Sequence, residues 1–182
     1  MPGGLRKTIK IDVVRFMIKI NSRMVAWAAV IVLMALIFSF SAQPAPKSNE
    51  LSGQTIRCIA KVTVPDFNKL PGVQQESFVD SMQHITRKTT HFLIYLLLGV
   101  LCMIALLQYR LKIITRFIIG FFICSGYAIS DEFHQLFVNG RSAQITDILI
   151  DSCGIVIGIA MVIVINQMRK RLKNNPLKTP SK

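Results

Sequence analysis

Cysteine is scarce in this sequence, and its arrangement excludes two common kinds of site. The chain has four cysteines, at positions 58, 102, 124 and 153, and no two of them form a CxxC pair. Three of them lie within apolar runs, where cysteine behaves as a small hydrophobic residue. Neither a disulfide framework nor a zinc site built from cysteines is therefore expected.

Well-known functional motifs are missing as well. The sequence contains no HExxH, GxSxG or phosphatase-like motif, so no reaction type is assigned from motifs alone. No nucleic-acid-binding motif accompanies the formal net charge of +13. The basic residues form short clusters at the ends of apolar runs, which is typical of anchoring to anionic lipid. Nucleic acid is therefore not expected as a partner.

Apolar residues are abundant and occur in long runs. The hydrophobic fraction is 52% and the mean hydropathy is +0.48, both too high for an ordinary soluble domain. At 182 residues the chain suits one domain. The runs predict an all-α integral membrane four-helix bundle with spans at about 24–40, 92–109, 117–137 and 143–165. The first run exceeds the usual length of a signal-peptide core, so we expect it to be retained.

Three polar segments flank these spans. Residues 1–23 carry six basic residues with apolar positions at helical spacing, which predicts either a short interfacial helix or a frayed basic tail. The segment 41–90 is interrupted by four prolines, and we expect one helix from Ser48 to about Thr63 and another from near Gln75 into the next span. Residues 166–182 form a basic tail.

The distribution of charge predicts the orientation in the membrane. With four spans, both termini lie on the same side as the loop 110–116. That side holds six basic residues at the N-terminus, three in the loop and six in the tail, against one acid, Asp12. The other side holds seven basic residues and all eight remaining acids. By the positive-inside rule, both termini are predicted to lie in the cytoplasm and the segment 41–90 outside.

Unusual polar residues converge at the outer ends of the predicted spans. Charges near the hydrocarbon core are rare because each costs about 2.5–3.5 kcal/mol or more, so such a concentration indicates function. Asp147 and Asp151 share a helical face that continues through Gly154 and Gly158, where a neighbouring helix could approach closely. We expect Asp151 to pair with Arg141, Arg87 or Lys88. The converging residues are Ser41, Gln43, Arg87, Lys88, His91, Tyr95, Asp131, Glu132, His134, Gln135, Arg141, Asp147 and Asp151.

Two chemistries fit a pocket of this composition. The carboxylates and histidine could act as general acid and base, with Asp131, Glu132, His134, Asp147 and Asp151 as catalytic candidates. A divalent metal is a further option, held by His134, Asp131 and Asp147. The basic, amide and hydroxyl groups could instead bind an anionic lipid headgroup. That set comprises Arg87, Lys88, His91, Tyr95, Gln135, Arg141, Ser41 and Gln43.

Purely structural roles compete with these functions. Asp147 could bridge to Arg141 and tie down the turn between the third and fourth spans. His91 and His134 could be hydrogen-bonded residues at the membrane interface, and Lys88 could extend its amine to the headgroup region. One structural bridge does not require four acids, two histidines and three bases, which favours a pocket.

The polar residues resemble the pattern of VanZ-like membrane proteins. The resemblance rests on Arg87 to Phe92 with Tyr95, on Asp131-Glu132-x-His134-Gln135-x-Phe137, and on Arg141, Asp147, Gly154 and Gly158. It covers about residues 25–165 and includes the Ser/Gln-Pro element from Ser39 to Pro44. At Asp151 that pattern usually has Asn, so this chain either adds a charge or needs only a hydrogen-bonding side chain there.

The resemblance implies a four-helix bacterial membrane protein of the cell envelope, in a family whose founding member is associated with resistance to the glycopeptide teicoplanin. It names a protein class and no reaction. The first hypothesis is therefore binding of an anionic, lipid-linked envelope precursor at the outer leaflet. The second is an intramembrane enzyme acting on such a lipid. A small transporter is the third, disfavoured because the cytoplasmic half has no second polar set.

Overall fold

Five α-helices make up almost all of the described chain. The computed structural model describes residues 3–141 and 144–174, with side chains from residue 21 onward except at positions 47, 48 and 51. The helices are α1 (Gly3–Ser41), α2 (Ala45–Thr63), α3 (Gly72–Leu106), α4 (Ile113–Gln135) and α5 (Ile145–Asn174), with a 3₁₀ turn at Phe67–Lys69. There is no strand in those ranges. The all-α prediction is confirmed.

Four of these helices are long and apolar enough to cross a bilayer, namely α1 from Asn21 onward, α3, α4 and α5. This confirms the predicted number of candidate spans. The expected start of the fourth span at 143 and the tail beyond residue 174 lie outside the described residues.

Helix α1 differs from the expected separate interfacial helix at 1–23. Its backbone is helical without a break from Gly3 to Ser41. The reason is local, because residues 5–41 contain neither glycine nor proline to interrupt the hydrogen-bond ladder.

Prolines delimit the segment between the first two spans. Helix α2 begins directly after Pro44 and ends at Thr63, where Val64 precedes Pro65 and takes an extended conformation. Helix α3 begins after Pro71 and continues for 35 residues. At 1.5 Å per residue it is about 52 Å long, so it exceeds a hydrocarbon core of about 30 Å. Its first turns therefore extend beyond the core and pack against α2.

Helix α3 is the centre of the bundle and contacts each of the other four helices. Its approach to α5 is close because glycines face the neighbouring backbone. A Cβ atom at Gly154 would lie 2.5 Å from the carbonyl oxygen of Phe92, and one at Gly158 would clash with that of Leu96. The apolar core of the bundle includes Leu98, Cys102, Cys124, Ile155 and Ile159.

The two ends of the bundle are built differently. At one end, α1 is tied to the loop after α3 by Trp27 Nε1, which donates to Tyr109 Oη at 3.0 Å, and by Arg23, which donates to the Gln108 carbonyl at 3.1 Å. At the other end, α2 and the 3₁₀ turn cover the start of α3 through a small cluster of Ala60, Phe67 and Val79. We call this second end the capped end.

Candidate functional site

Four buried acids lie at the capped end of the bundle. Asp131 and Glu132 come from the last turns of α4, and Asp147 and Asp151 from the first turns of α5. Their exposed fractions lie between 0 and 4%. Removing a carboxylate from water costs several kcal/mol unless it is paired or neutralised. The partners of these acids therefore define the chemistry of the site.

Arg87 links α3 to both acid-bearing helices. Its Nη2 donates to Gln135 Oε1 at 3.3 Å and lies 3.7 Å from Asp147 Oδ2. Gln135 Nε2 in turn donates to Asp131 Oδ2 at 3.3 Å. Asp147 therefore pairs with Arg87 and not with Arg141, the structural bridge considered from the sequence. His91 lies one turn after Arg87 on α3.

His91 lies opposite Asp151. The distance between His91 Nδ1 and Asp151 Oδ1 is 3.5 Å. Glu132 approaches the same point from α4, and one ligand atom each of His91, Glu132 and Asp151 lies within 4.8 Å of the others. The expected partners of Asp151 were Arg141, Arg87 or Lys88. The helix register explains the difference, because Phe92 on α3 lies against Gly154 on α5, one turn beyond Asp151.

Arg141 fastens the turn after α4 to the end of α1. Its Nε donates to the Gln43 carbonyl at 3.0 Å and its Nη2 to the Phe40 carbonyl at 3.3 Å. The turn also contains Gly140 with a φ of 75°, a conformation that suits glycine. Burial, with a smaller contribution from the Arg87 cation, lowers the pKa of the Arg141 guanidinium from its usual value. Arg141 thus satisfies backbone carbonyls while it faces the site.

His134 lies apart from the other candidates. Its ring packs against Phe38 of α1, with ring centroids 4.5 Å apart. Position 134 lies about 100° around the helix from the face that Asp131, Glu132 and Gln135 share, so α1 covers it. Among the described residues, the expected metal set of His134, Asp131 and Asp147 is not brought together as ligands. The set that is brought together is His91, Glu132 and Asp151.

A cavity of about 640 Å³ opens at the capped end beside these groups. Of the residues expected to bind a ligand, Ser41, Gln43, Arg87, His91, Tyr95 and Arg141 line it, whereas Lys88 and Gln135 do not. Of the catalytic candidates, Asp131 lines it. Gln135 is fully buried behind Arg87. Ile37 and Ile94 add apolar surface deeper in the bundle.

Sequence reasoning missed the part of the wall that comes from α2 and the first turns of α3. This part comprises Asn49, Ser52, Asp80, Gln83, His84, Thr86 and Thr90. Asp80, Gln83, Arg87, Thr90 and Ile94 recur at intervals of three and four, which marks one helical face. That spacing continues the face of His91 backward and could have identified the residues of α3.

The arrangement supports two kinds of chemistry. Arginine side chains beside amide and hydroxyl groups can bind an anion, and both Arg87 and Arg141 line the cavity. A histidine with two carboxylates can transfer protons or coordinate a metal ion. The arginine, amide and hydroxyl groups line the cavity. Of His91, Glu132 and Asp151, only His91 lines it.

Comparisons with known proteins agree with the residue pattern. The sequence model of the VanZ/LLP1 family matches residues 26–166. This range includes all of α3 and α4, most of the first and fourth spans, and every candidate site residue. Comparison with curated proteins and comparison with solved structures each gave no significant match. The matched region covers most of the chain, and the chain is therefore a multi-pass membrane protein that belongs to the VanZ/LLP1 family.

Proposed function

We propose that this protein binds an anionic, lipid-linked molecule of the cell envelope in the cavity at the capped end. The proposal rests on the separation of charged and apolar residues along the cavity wall. Arg87 and Arg141 face it near the cap, while Ile37 and Ile94 face it deeper in the bundle. A lipid with a phosphorylated headgroup has the same division between an anionic and an apolar part. Polar groups near the cap, such as Asn49, would hydrogen-bond the rest of the headgroup.

Arg87 has donor capacity left for such a headgroup. Its contacts to Gln135 and Asp147 both use Nη2, and its buried Nε has no hydrogen-bond partner among the described residues. A guanidinium carries five N–H donors in a planar fork that matches phosphate. Arg87 is therefore proposed as the main headgroup ligand, with Arg141 and the buried hydroxyl of Ser41 completing the mouth.

The proposed orientation places the capped end outside the cell membrane and both termini in the cytoplasm. Its support is the distribution of basic residues, since the end opposite the cap carries Arg110, Lys112, Arg116 and the cluster at 169–173. In that orientation the cavity meets the outer leaflet, where lipid carriers of envelope precursors are exposed. Extension of the proposal to glycopeptide resistance rests on the family alone and would be tested by teicoplanin susceptibility of cells expressing the chain.

Binding can be measured with a polyprenyl phosphate as the probe and the matching prenol without phosphate as its control. The detergent-purified full chain should bind the phosphate and not the prenol. Replacement of Arg87 alone would leave Asp147 buried without its partner, so the informative variant is the double substitution Arg87→Ala with Asp147→Asn. Loss of charge-assisted hydrogen bonds worth about 1.5–3 kcal/mol should weaken binding about 10- to 100-fold.

Lys88→Ala is the matched control, because Lys88 is the next residue on α3 and lies outside the cavity wall. It should bind the probe as the unmodified protein does. Equal binding of phosphate and prenol, or equal loss in the Lys88 variant and the double variant, would contradict the proposal. Mass spectrometry of lipids that co-purify with the protein would then identify the natural ligand class.

An intramembrane enzyme is the second candidate, and one observation favours it. His91 lines the cavity and is backed by Glu132 and Asp151, so a bound lipid would lie beside a possible acid–base group. The two functions differ in the fate of the probe. Recovery of unchanged polyprenyl phosphate after prolonged incubation favours binding, whereas release of inorganic phosphate that is lost in Asp151→Asn favours catalysis.

A further inference from the structure

Three helices bring one histidine and two carboxylates to a common point. His91 comes from α3, Glu132 from α4 and Asp151 from α5, and the three ligand atoms lie within 4.8 Å of one another. Glu132 and Asp151 are buried, with exposed fractions of 1% and 0%. A cluster of this kind could be a set of hydrogen bonds or a set of metal ligands, and the distances distinguish the two.

The separation of His91 and Asp151 is too long for a strong hydrogen bond. A charge-assisted N–H to carboxylate bond measures about 2.7–2.9 Å, whereas His91 Nδ1 and Asp151 Oδ1 are 3.5 Å apart. Zinc binds nitrogen and oxygen ligands at about 2.0–2.2 Å, and a tetrahedral arrangement places those ligand atoms about 3.3–3.5 Å from each other. The observed separation of 3.5 Å fits two ligands that share one ion.

Several oxygens in the cluster have no other partner. Both carboxylate oxygens of Asp151 lack a hydrogen-bond partner in the described ranges 3–141 and 144–174. The same is true of Glu132 Oε1. Arg87, the nearby arginine, is paired with Asp147. Buried polar groups without partners are rare, and each calls for an explanation such as an ion. A divalent cation would neutralise both carboxylates in one step.

The remaining oxygen of the cluster is oriented as in metal sites. Glu132 Oε2 accepts a hydrogen bond at 3.1 Å from the backbone N–H of Gln144, just before α5. Such outer contacts fix the direction of a ligating carboxylate. Glu132 Oε1 is then left for the shared point, and the carboxylate is held by the residue that directly precedes α5.

We propose that His91, Glu132 and Asp151 form a binding site for a divalent transition-metal ion of the zinc class. An imidazole nitrogen selects such ions over magnesium and calcium, which prefer oxygen ligands alone. Three protein ligands leave a further coordination position open. Since His91 lines the cavity, that position adjoins the proposed lipid site, but the metal site does not depend on which ligand the cavity takes.

The full chain, purified in detergent with its affinity tag removed, would be tested with zinc, manganese and magnesium chlorides. We expect about one zinc ion per chain by elemental analysis, a higher Tm with zinc, and no rise with magnesium. Asp151→Asn and Glu132→Gln keep the size of the side chain and remove a charged ligand. Each should weaken zinc binding by at least about tenfold in a chelator competition.

His134→Ala and Asp131→Asn are matched controls, because both residues lie at the capped end outside the ligand set. They should retain the zinc stoichiometry of the unmodified chain. Absence of both bound metal and a thermal shift in the unmodified chain would overturn the proposal. So would equal zinc binding by the unmodified chain and the Asp151 variant, since the ion would then lie elsewhere. Elution of each variant as a single species by size exclusion establishes that loss of zinc is not loss of folding.

Discussion

Substitution of Gly154 by alanine should separate the two helices that hold the site. The Cβ atom of the new residue would lie 2.5 Å from the Phe92 carbonyl oxygen, whereas ordinary contacts begin at 3.4 Å. The obstructing atom belongs to the backbone of α3, so it cannot move away as a side chain would. We expect α3 and α5 to move apart by roughly 0.9 Å locally, at a cost of about 1–3 kcal/mol.

Gly126 on α4 provides the matched control for this prediction. No atom lies within 4 Å of a Cβ atom built there. Both substitutions gain the same helix propensity of about 1 kcal/mol, so the difference between them isolates the packing effect. Unfolding of detergent-solubilised protein by SDS, followed by Trp27 fluorescence, would give the two free energies of unfolding. Equal stability of the Gly154→Ala and Gly126→Ala variants would refute the close contact between α3 and α5.

Three further predictions concern single contacts and the topology. Tyr127→Phe removes a hydrogen bond of 2.6 Å to a carbonyl of α1, and the free energy of unfolding should fall by about 1 kcal/mol in the same SDS assay. Arg57→Ala breaks the exposed ion pair with Glu76 at 3.7 Å, and the loss should be below about 1 kcal/mol and should vanish at high salt. The exposed Cys58 should react with an impermeant maleimide in intact cells. A cysteine introduced by Lys173→Cys in a Cys58→Ser background should react only after lysis. The reverse pattern would contradict the predicted topology.

The helices themselves could be predicted from the sequence because hydrophobic runs and prolines act locally. The four spans follow from runs that only a bilayer or a core can accommodate. The end of α2 at Thr63 was expected and follows from Pro65, which restricts the residue before it. Helices α2 and α3 each begin three residues before the expected Ser48 and Gln75, because Pro44 and Pro71 have a φ that suits a helix start. Helix α1 was expected to be divided, but residues 5–41 contain neither glycine nor proline to interrupt it.

Only some of the site residues could be predicted from the sequence. Charges in apolar surroundings identify Arg87, His91, Asp131 and Asp151 as candidates whatever the packing, because their burial needs a compensating contact. Asn49 and Ser52 of α2 carry no such signal, since polar side chains are common on exposed helices. They join the cavity wall only because α2 folds back over the first turns of α3.

The sequence by itself therefore determined that this is a helical membrane protein of the VanZ/LLP1 family with its polar residues at one end of the bundle. Only the tertiary structure decided the pairing of those residues. Helix periodicity shows which side chains share a face, but it does not show how far one helix is shifted along another. The glycine contact between α3 and α5 sets that shift. As a result, Asp151 lies opposite His91, and Arg87 pairs with Asp147.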